Sequence, residues 1–396
     1  MKTTPKKFVQ IALLLLICQS CTESKKQINF GYDLDFLSQN TKTIILKNNN
    51  EQSQIAIVPA FQGRVMTSTS KGRQGKSYGW INYDLISSNT IQEHINAYGG
   101  EDRFWLGPEG GQYAIFFENG TPFILDHWNT PKVIDTESFN LVEQGPTHAI
   151  FDQDITLKNY QNFEFQINVN RKISLLQKEE IEQNLAIGLN ETLAFVGYQS
   201  DNVMTNMSSI DWNRDSGLLS IWILGMFTPS DQTAVVIPFK DSLALNTSYF
   251  GAIEADRLKV KENIILFKGD GKYRSKIGIP PQNALPTLGS YDLNQNILTV
   301  IQYTLDKNAS YVNSLWEIQE DPYGGDVVNS YNDGPLDNGG QLGPFYELET
   351  SSPARALKAY ESIKHIHRTY HFEGSPEALN TIAKKVFGTD LNSLKI

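Results

Sequence analysis

Three segments concentrate the side chains able to do chemistry. Tyr98 to Gly111 (YGGEDRFWLGPEGG) sets glycines in two pairs, so backbone can come close to a ligand, around Glu101, Asp102, Arg103, Trp105 and Glu109. Carboxylates and a guanidinium pair with hydroxyls, and an indole stacks on an apolar ring face; sugars are held in this way. Asp321 to Pro335 (DPYGGDVVNSYNDGP) reads as a glycine-rich loop in which Asp326, Asn329, Asn332 and Asp333 could grip hydroxyls or a calcium ion. The spacing is not that of an EF-hand. Phe345 to Thr350 and His365 to Phe372 read as strands. Glu347 and Glu349 share one face of the first, and His365, His367, Thr369 and His371 one face of the second. If those faces met, carboxylate and imidazole would supply proton transfer, with Glu349, Glu347 and His367 as the catalytic set, or a metal site.

Two-residue periodicity is the main signal for the elements that carry these groups. Phe163, Phe165, Ile167 and Val169 alternate with Glu164, Gln166, Asn168 and Asn170, a strand with one wet face. Further short β-rich runs, separated by turns such as Lys268-Gly-Asp-Gly-Lys272, predict an all-β sandwich or barrel. Gly217 to Phe227 is apolar throughout and predicts a strand buried on both faces. One helix is expected near the C-terminus: Ser375 caps it, Pro376 opens it, Leu379, Ile382, Ala383, Val386 and Phe387 form its stripe, and Gly388 ends it.

The N-terminus places Lys2, Lys6 and Lys7 before an apolar run from Phe8 to Cys18, too short to span a bilayer and typical of a signal peptide. Ser20 before Cys21 resembles a lipoprotein cleavage site, with Cys21 lipidated. The expected layout is a signal at 1–20, a polar tether at 21–30, one β domain at 31–372 and the helix at 373–396. The protein would then be anchored in the bacterial envelope, at the outer membrane. Losing residues 1–20 leaves 31 basic against 44 acidic residues and at most one cysteine. That balance disfavours nucleic acid, and a lone cysteine allows no internal disulfide. P-loop, GxGxxG, HExxH and GxSxG motifs are absent, and no cofactor is implied beyond the open question of calcium.

Taken in order along the chain, these segments resemble the galactose mutarotase-like (aldose 1-epimerase-like) superfamily, in a branch of exported bacterial lipoproteins. Ile57 to Met66 looks like that family's early strand and turn, Tyr98-Gly99-Gly100 with Trp105 like its Leu-His-Gly-Gly stretch and downstream Trp, and Leu348-Glu349-Thr350 with Pro353 like the strand bearing its general base. The stretch from His367 to Phe372 resembles the closing strand. The resemblance implies an antiparallel β-supersandwich with a short C-terminal helix, a carbohydrate ligand, Glu349 as base, Glu347 sharing its proton, Arg103 and Asn206 holding hydroxyls, and Trp105 stacking. Two positions depart from the pattern. Tyr98 stands nearest the binding histidine, and Thr205-Asn206-Met207-Ser208 carries methionine where the acid histidine belongs. Methionine donates no proton, so His127, His365 or His367 must act as acid, or the protein is a non-catalytic glycan binder or a structural envelope protein.

Overall fold

The computed structural model describes residues 28–336 and 339–396; the signal, Cys21 and the tether up to Gln27 lie outside them. Three antiparallel sheets make up the fold. A small one is formed by β1 (Ile44–Lys47), β2 (Gln54–Val58) and β3 (Arg64–Thr69). Five strands, in the order β13 (Ser275–Ile279), β16 (Val328–Asn332), β17 (Tyr346–Ser351), β9 (Ser220–Phe227) and β4 (Arg103–Gly107), form the second.

Ten strands form the largest sheet. From one edge it runs β11 (Leu258–Lys261), β12 (Ile264–Lys268), β10 (Thr233–Pro238), β14 (Thr287–Asp292) and β15 (Ile297–Tyr303). It continues through β18 (Ser362–Glu373), β8 (Ala194–Asn206), β7 (Glu164–Leu175), β6 (His148–Lys158) and β5 (Asn140–Gln144). In β7 the alternation seen in the sequence sets the orientation: Phe165, Ile167 and Val169 are buried and Glu164 and Gln166 exposed. Burying that apolar face outweighs the entropy of ordering an extended chain.

Helices α3 (Lys178–Leu185) and α4 (Pro376–Phe387) cover the outer face of the ten-stranded sheet. Ile181, Leu185, Leu379, Ile382 and Phe387 pack there with Val300, Tyr370 and Phe372. Ser375 caps α4 through the Ala378 amide, and Gly388 closes it with a left-handed φ of 71°. The inner face packs on the five-stranded sheet, where Leu348, Val328 and Phe227 meet Val235, Phe267 and Ile301. The other face of the five-stranded sheet is therefore free to floor a cleft.

Three local expectations are corrected. The segment 328–332 is a strand rather than a loop, because its residues find ladder partners on both sides, in β13 and β17. Two helices precede the β body's main sheets: α1 (Phe30–Asn40), capped by Asn29 and burying Phe30, Leu34 and Leu37, and α2 (Tyr83–Ser88), capped by Asn82. The histidine face of β18 does not meet the carboxylates. Successive side chains of a strand point to opposite faces, so when Thr350 turns inward Glu347 and Glu349 turn outward. It is the Thr350 hydroxyl that meets His365 Nε2 at 2.8 Å and His367 Nδ1 at 2.9 Å.

Candidate functional site

Register across the five-stranded sheet brings distant segments into rows. Arg103 on β4 pairs with Leu224 on β9, which pairs with Glu349 on β17, which pairs with Asn329 on β16. Arg103 and Glu349 are thus two strands apart, about 10 Å at the usual strand spacing. In the neighbouring rows Trp105 pairs with Trp222, Trp222 with Ser351, Glu347 with Met226, and Tyr331 with Lys276.

Above this floor lie two chambers. One, of about 490 Å³, is walled by Trp222, Tyr249, Ser314, Asp326, Asn329 and Ser351. The other, of about 320 Å³, is walled mainly by Trp105, Trp128, Leu224, Met226, Tyr331 and Phe345, with Arg103, Asp333 and Glu347. Both are bounded by Glu109, Leu125, Phe250, Arg274, Lys276 and Trp316, so they are one cleft with a shared neck. Volumes of this size are those of small-molecule sites.

Charge in the neck is arranged around Lys276. Its ammonium lies 3.1 Å from Glu349 and 4.7 Å from the Trp222 ring. Burial works against that charge, but Glu349, Glu109 and Glu347 together hold the ammonium above its usual range. Arg103 is fully buried, 2.7 Å from Asp135 and stacked 4.1 Å from the Trp105 ring, so its charge offsets Glu347 and Glu109 only in part. Three carboxyls crowded around Lys276 favour a proton on one of them. Glu347 is that group. Burial, then the charge of Glu349, pushes its carboxyl well above the ordinary range, and it lies within hydrogen-bond reach of Glu349. Glu349 Oε1 has no other partner, which a proton on Glu347 resolves. Burial raises Glu109 as well.

The polar chamber has its own dyad. Tyr249 donates to Asp326 at 2.6 Å, Asn246 donates to the same carboxyl at 2.8 Å, and Asn329 donates to the Tyr249 oxygen at 3.1 Å. Burial raises both Asp326 and Tyr249. Gly278 makes room for this group: a Cβ there would meet Asp326 Cγ at 2.6 Å and Asn329 Nδ2 at 2.9 Å.

Of the residues singled out in the sequence, Arg103, Trp105, Glu109, Glu347, Asp326 and Asp333 line the cleft. Glu349 lies beneath it, fully buried under Lys276 and Glu347, so Glu347 rather than Glu349 meets the open volume. His367 is enclosed between the sheets, on the far side of β17 from the cleft, and cannot act there. Burial lowers His365 to about 3 and His367 to about 4, so both rings are neutral. Asn206, at the end of β8, donates to the carbonyls of Ile210, Leu357 and Lys358 and ties loops together away from the cleft. Asn332 accepts from the Gly271 amide and donates to the Tyr273 carbonyl, a structural role.

Calcium is not supported either. Asp326 belongs to the polar chamber, Asp333 to the apolar one, bonded by Tyr331 and the Gly343 amide, and Asn332 to neither. Among the described residues no group of three or more His, Cys, Asp or Glu side chains is placed to hold a metal ion. The first half of the Tyr98–Gly111 segment is internal. Glu101 meets His371 at 3.0 Å, and Asp102 pairs with Arg171, both fully enclosed. Lys276, Tyr249, Trp222 and Trp316 were not anticipated. Only the lone charge of Lys276, flanked by buried Ser275 and Ile277, marked a face in the sequence.

A family model described as a family of unknown function (DUF6786) matches residues 28–396. Solved structures share the fold. The Slr1438 protein of Synechocystis sp. PCC 6803 aligns over 84% of this chain and 96% of its own, with a TM-score of 0.51 and 11% identity. A galactose mutarotase-like protein from Lactobacillus casei aligns over 83% and 100%, at 0.50 and 9%. A candidate aldose 1-epimerase from Escherichia coli K12 aligns over 84% and 99%, at 0.50 and 9%. At such identities the likeness establishes the galactose mutarotase-like fold and nothing finer. No curated protein matches the sequence.

Proposed function

The chain belongs to the DUF6786 family of unknown function, and we propose that its cleft binds a carbohydrate and moves a proton at the sugar ring through Glu347. The observation that carries this reading is the buried carboxyl cluster on the floor of an aromatic-walled cleft: Glu347 facing the volume with its carboxyl pushed well up by burial and by Glu349, Glu349 beneath it, and Lys276 paired with Glu349 and drawn by the charge of Glu109. Indoles offer apolar faces for a pyranose, and Asp326, Asn329 and Tyr249 offer hydroxyl partners.

Glu347 takes the role that the missing histidine at position 207 leaves vacant. Its proton passes to the ring oxygen while the Glu109 carboxylate takes the proton of the anomeric hydroxyl. The bond between the anomeric carbon and the ring oxygen breaks, and the open-chain aldehyde recloses to either anomer. The charge left on Glu347 is met by Lys276, within the same cluster. The fold shared with mutarotase-like proteins supports this chemistry over hydrolysis.

The test is anomer interconversion of a monosaccharide panel, followed by proton NMR, with binding followed by calorimetry. Wild type should accelerate interconversion, and Glu347→Gln should lose about 10²–10⁴-fold while still binding. Binding without acceleration by wild type would refute the enzyme reading and leave a glycan-binding module. We further propose that Cys21 carries the lipid that anchors the protein in the outer membrane. Intact mass of the membrane-extracted chain tests this, and a Cys21→Ser chain that stays in the membrane fraction would overturn it.

A further inference from the structure

The cleft runs along β9 and continues past its two chambers. Trp222, Leu224 and Met226 follow one another on that strand at two-residue steps, so they share a face; Trp222 walls the chamber of Asp326, and Leu224 and Met226 wall the chamber of Trp105. The Trp80 amide donates to the Met226 carbonyl at 3.0 Å, and Trp80 walls a further depression of about 380 Å³ with Asn82, Asp84, Gln341 and Pro344. Among the described residues this depression shares Gln92, Gln341 and Leu342 with the chamber of Trp105 and none with the chamber of Asp326. The chamber of Trp105 therefore opens at two separate places, the neck and the depression. From Trp222 to Met226 the strand rises about 13 Å, longer than one pyranose ring, before Trp80 is reached.

We infer that the ligand is a reducing oligosaccharide joined 1→4 rather than a free monosaccharide, with its reducing ring in the chamber of Trp105 and its next unit in the depression of Trp80. This rests on the carbohydrate reading above. Glu347 lines the chamber of Trp105 and not that of Asp326, so the ring whose oxygen it protonates stands there, with its anomeric carbon at the neck beside Glu109. C4 lies across a pyranose from C1 and therefore faces Gln341 and Leu342, where the cleft continues. The anomeric hydroxyl of a reducing end is free, so the ring opening and its two proton transfers proceed as they would for a monosaccharide.

The lining supplies partners for both units. Arg274 stacks 4.3 Å from the Phe250 ring, and among the described residues no hydrogen bond or ion pair takes its guanidinium or the side chains of Gln92, Glu93 and Asp84. These groups remain available to sugar hydroxyls, whereas His94 meets the Trp128 carbonyl and Gln341 donates to the carbonyls of Gly271 and Gly343. Apolar ring faces come from Trp128 in the chamber and Trp80 in the depression. Trp80 is held 4.7 Å from the Phe345 ring, and Gly343 leaves room for it, since a Cβ there would collide with the indole.

Calorimetry on the full-length protein tests this with glucose, galactose, mannose and xylose, each beside its 1→4-linked and its 1→2-linked reducing disaccharide. For any sugar that binds, the 1→4-linked disaccharide should bind about tenfold or more tightly than the monosaccharide. The 1→2-linked one should show no such gain, because its second unit is driven back into the neck. Asp84 is exposed at the edge of the depression, so Asp84→Trp can fold and fill it, and the ratio of 1→4-disaccharide to monosaccharide affinity should then fall to about one. A 1→4-linked disaccharide that binds no more tightly than its monosaccharide, an equal gain from the 1→2-linked one, or a gain that survives Asp84→Trp would overturn the assignment and leave the carbohydrate reading standing. If none of the sugars binds, the carbohydrate reading falls and takes this inference with it.

Discussion

Replacing Lys276 by methionine should cost about 3–5 kcal/mol of folding stability. The ammonium stands 3.1 Å from a Glu349 carboxylate that is fully buried, and is itself only 11% exposed. At an effective dielectric near 20, attraction at that distance is about 5 kcal/mol, most of which offsets the desolvation of the two charges. The pair therefore adds little net stability, but removing one member leaves the other charged, buried and unmatched. Methionine keeps much of the length and packing of the lysine stem, so the change isolates the charge. Guanidinium unfolding followed by tryptophan fluorescence reads the effect directly, and the melting temperature should fall by roughly 4–6 °C. The double variant Lys276→Met/Glu349→Gln should recover most of the loss, since no charge is then stranded. A single variant within about 1 kcal/mol of wild type, or a double variant no better than the single, would refute the claim that Lys276 is the counter-ion of this cluster.

Stability should fall as pH rises above the ordinary carboxylate range, because Glu347 keeps its proton longer when folded than when unfolded; its contribution is complete below the unfolded value and is lost as pH climbs through the folded one. Glu347→Gln should flatten that arm of the pH–stability curve, measured by denaturant midpoints. An opposite arm comes from His365 and His367, whose folded values of about 3 and 4 lie below the usual 6.5. The stability they provide is complete above pH 6.5 and disappears as pH falls toward 4 and then 3, and His367→Gln should make that slope shallower. Asn206→Ala should lower stability by about 1–3 kcal/mol by removing the side-chain hydrogen bonds that tie Ser208, Ile210, Leu357 and Lys358 to the end of β8, yet leave sugar affinity in calorimetry unchanged, as befits a residue remote from the cleft. A loss of affinity there would return Asn206 to the binding surface.

Where the reading of the sequence succeeded, the signal was local. The alternation in Glu164–Leu175, the apolar run ending at Phe227 and the Ser375–Pro376 start of α4 each encode their own element, because a strand or helix face is written in residues two or three to four apart. It failed where ladder partners decide. Val328–Asn332 looks like a loop until β13 and β17 supply its hydrogen bonds.

By itself the sequence determined that the chain is mostly β, that a capped helix follows its last strand, and which unusual residues, Arg103, Trp105, Glu109 and Glu347 among them, were available for chemistry. The tertiary structure decided which of them share a volume. Strand parity sent the carboxylates of β17 outward and Thr350 inward, which separated Glu347 from the histidines that sequence spacing had joined to it. Register across five strands then brought Lys276, more than 60 residues before Glu347 in the chain, into the neck of the cleft. A one-residue shift in either strand would reverse both outcomes, and that register is fixed by the packing of two whole sheets rather than by any local run of residues.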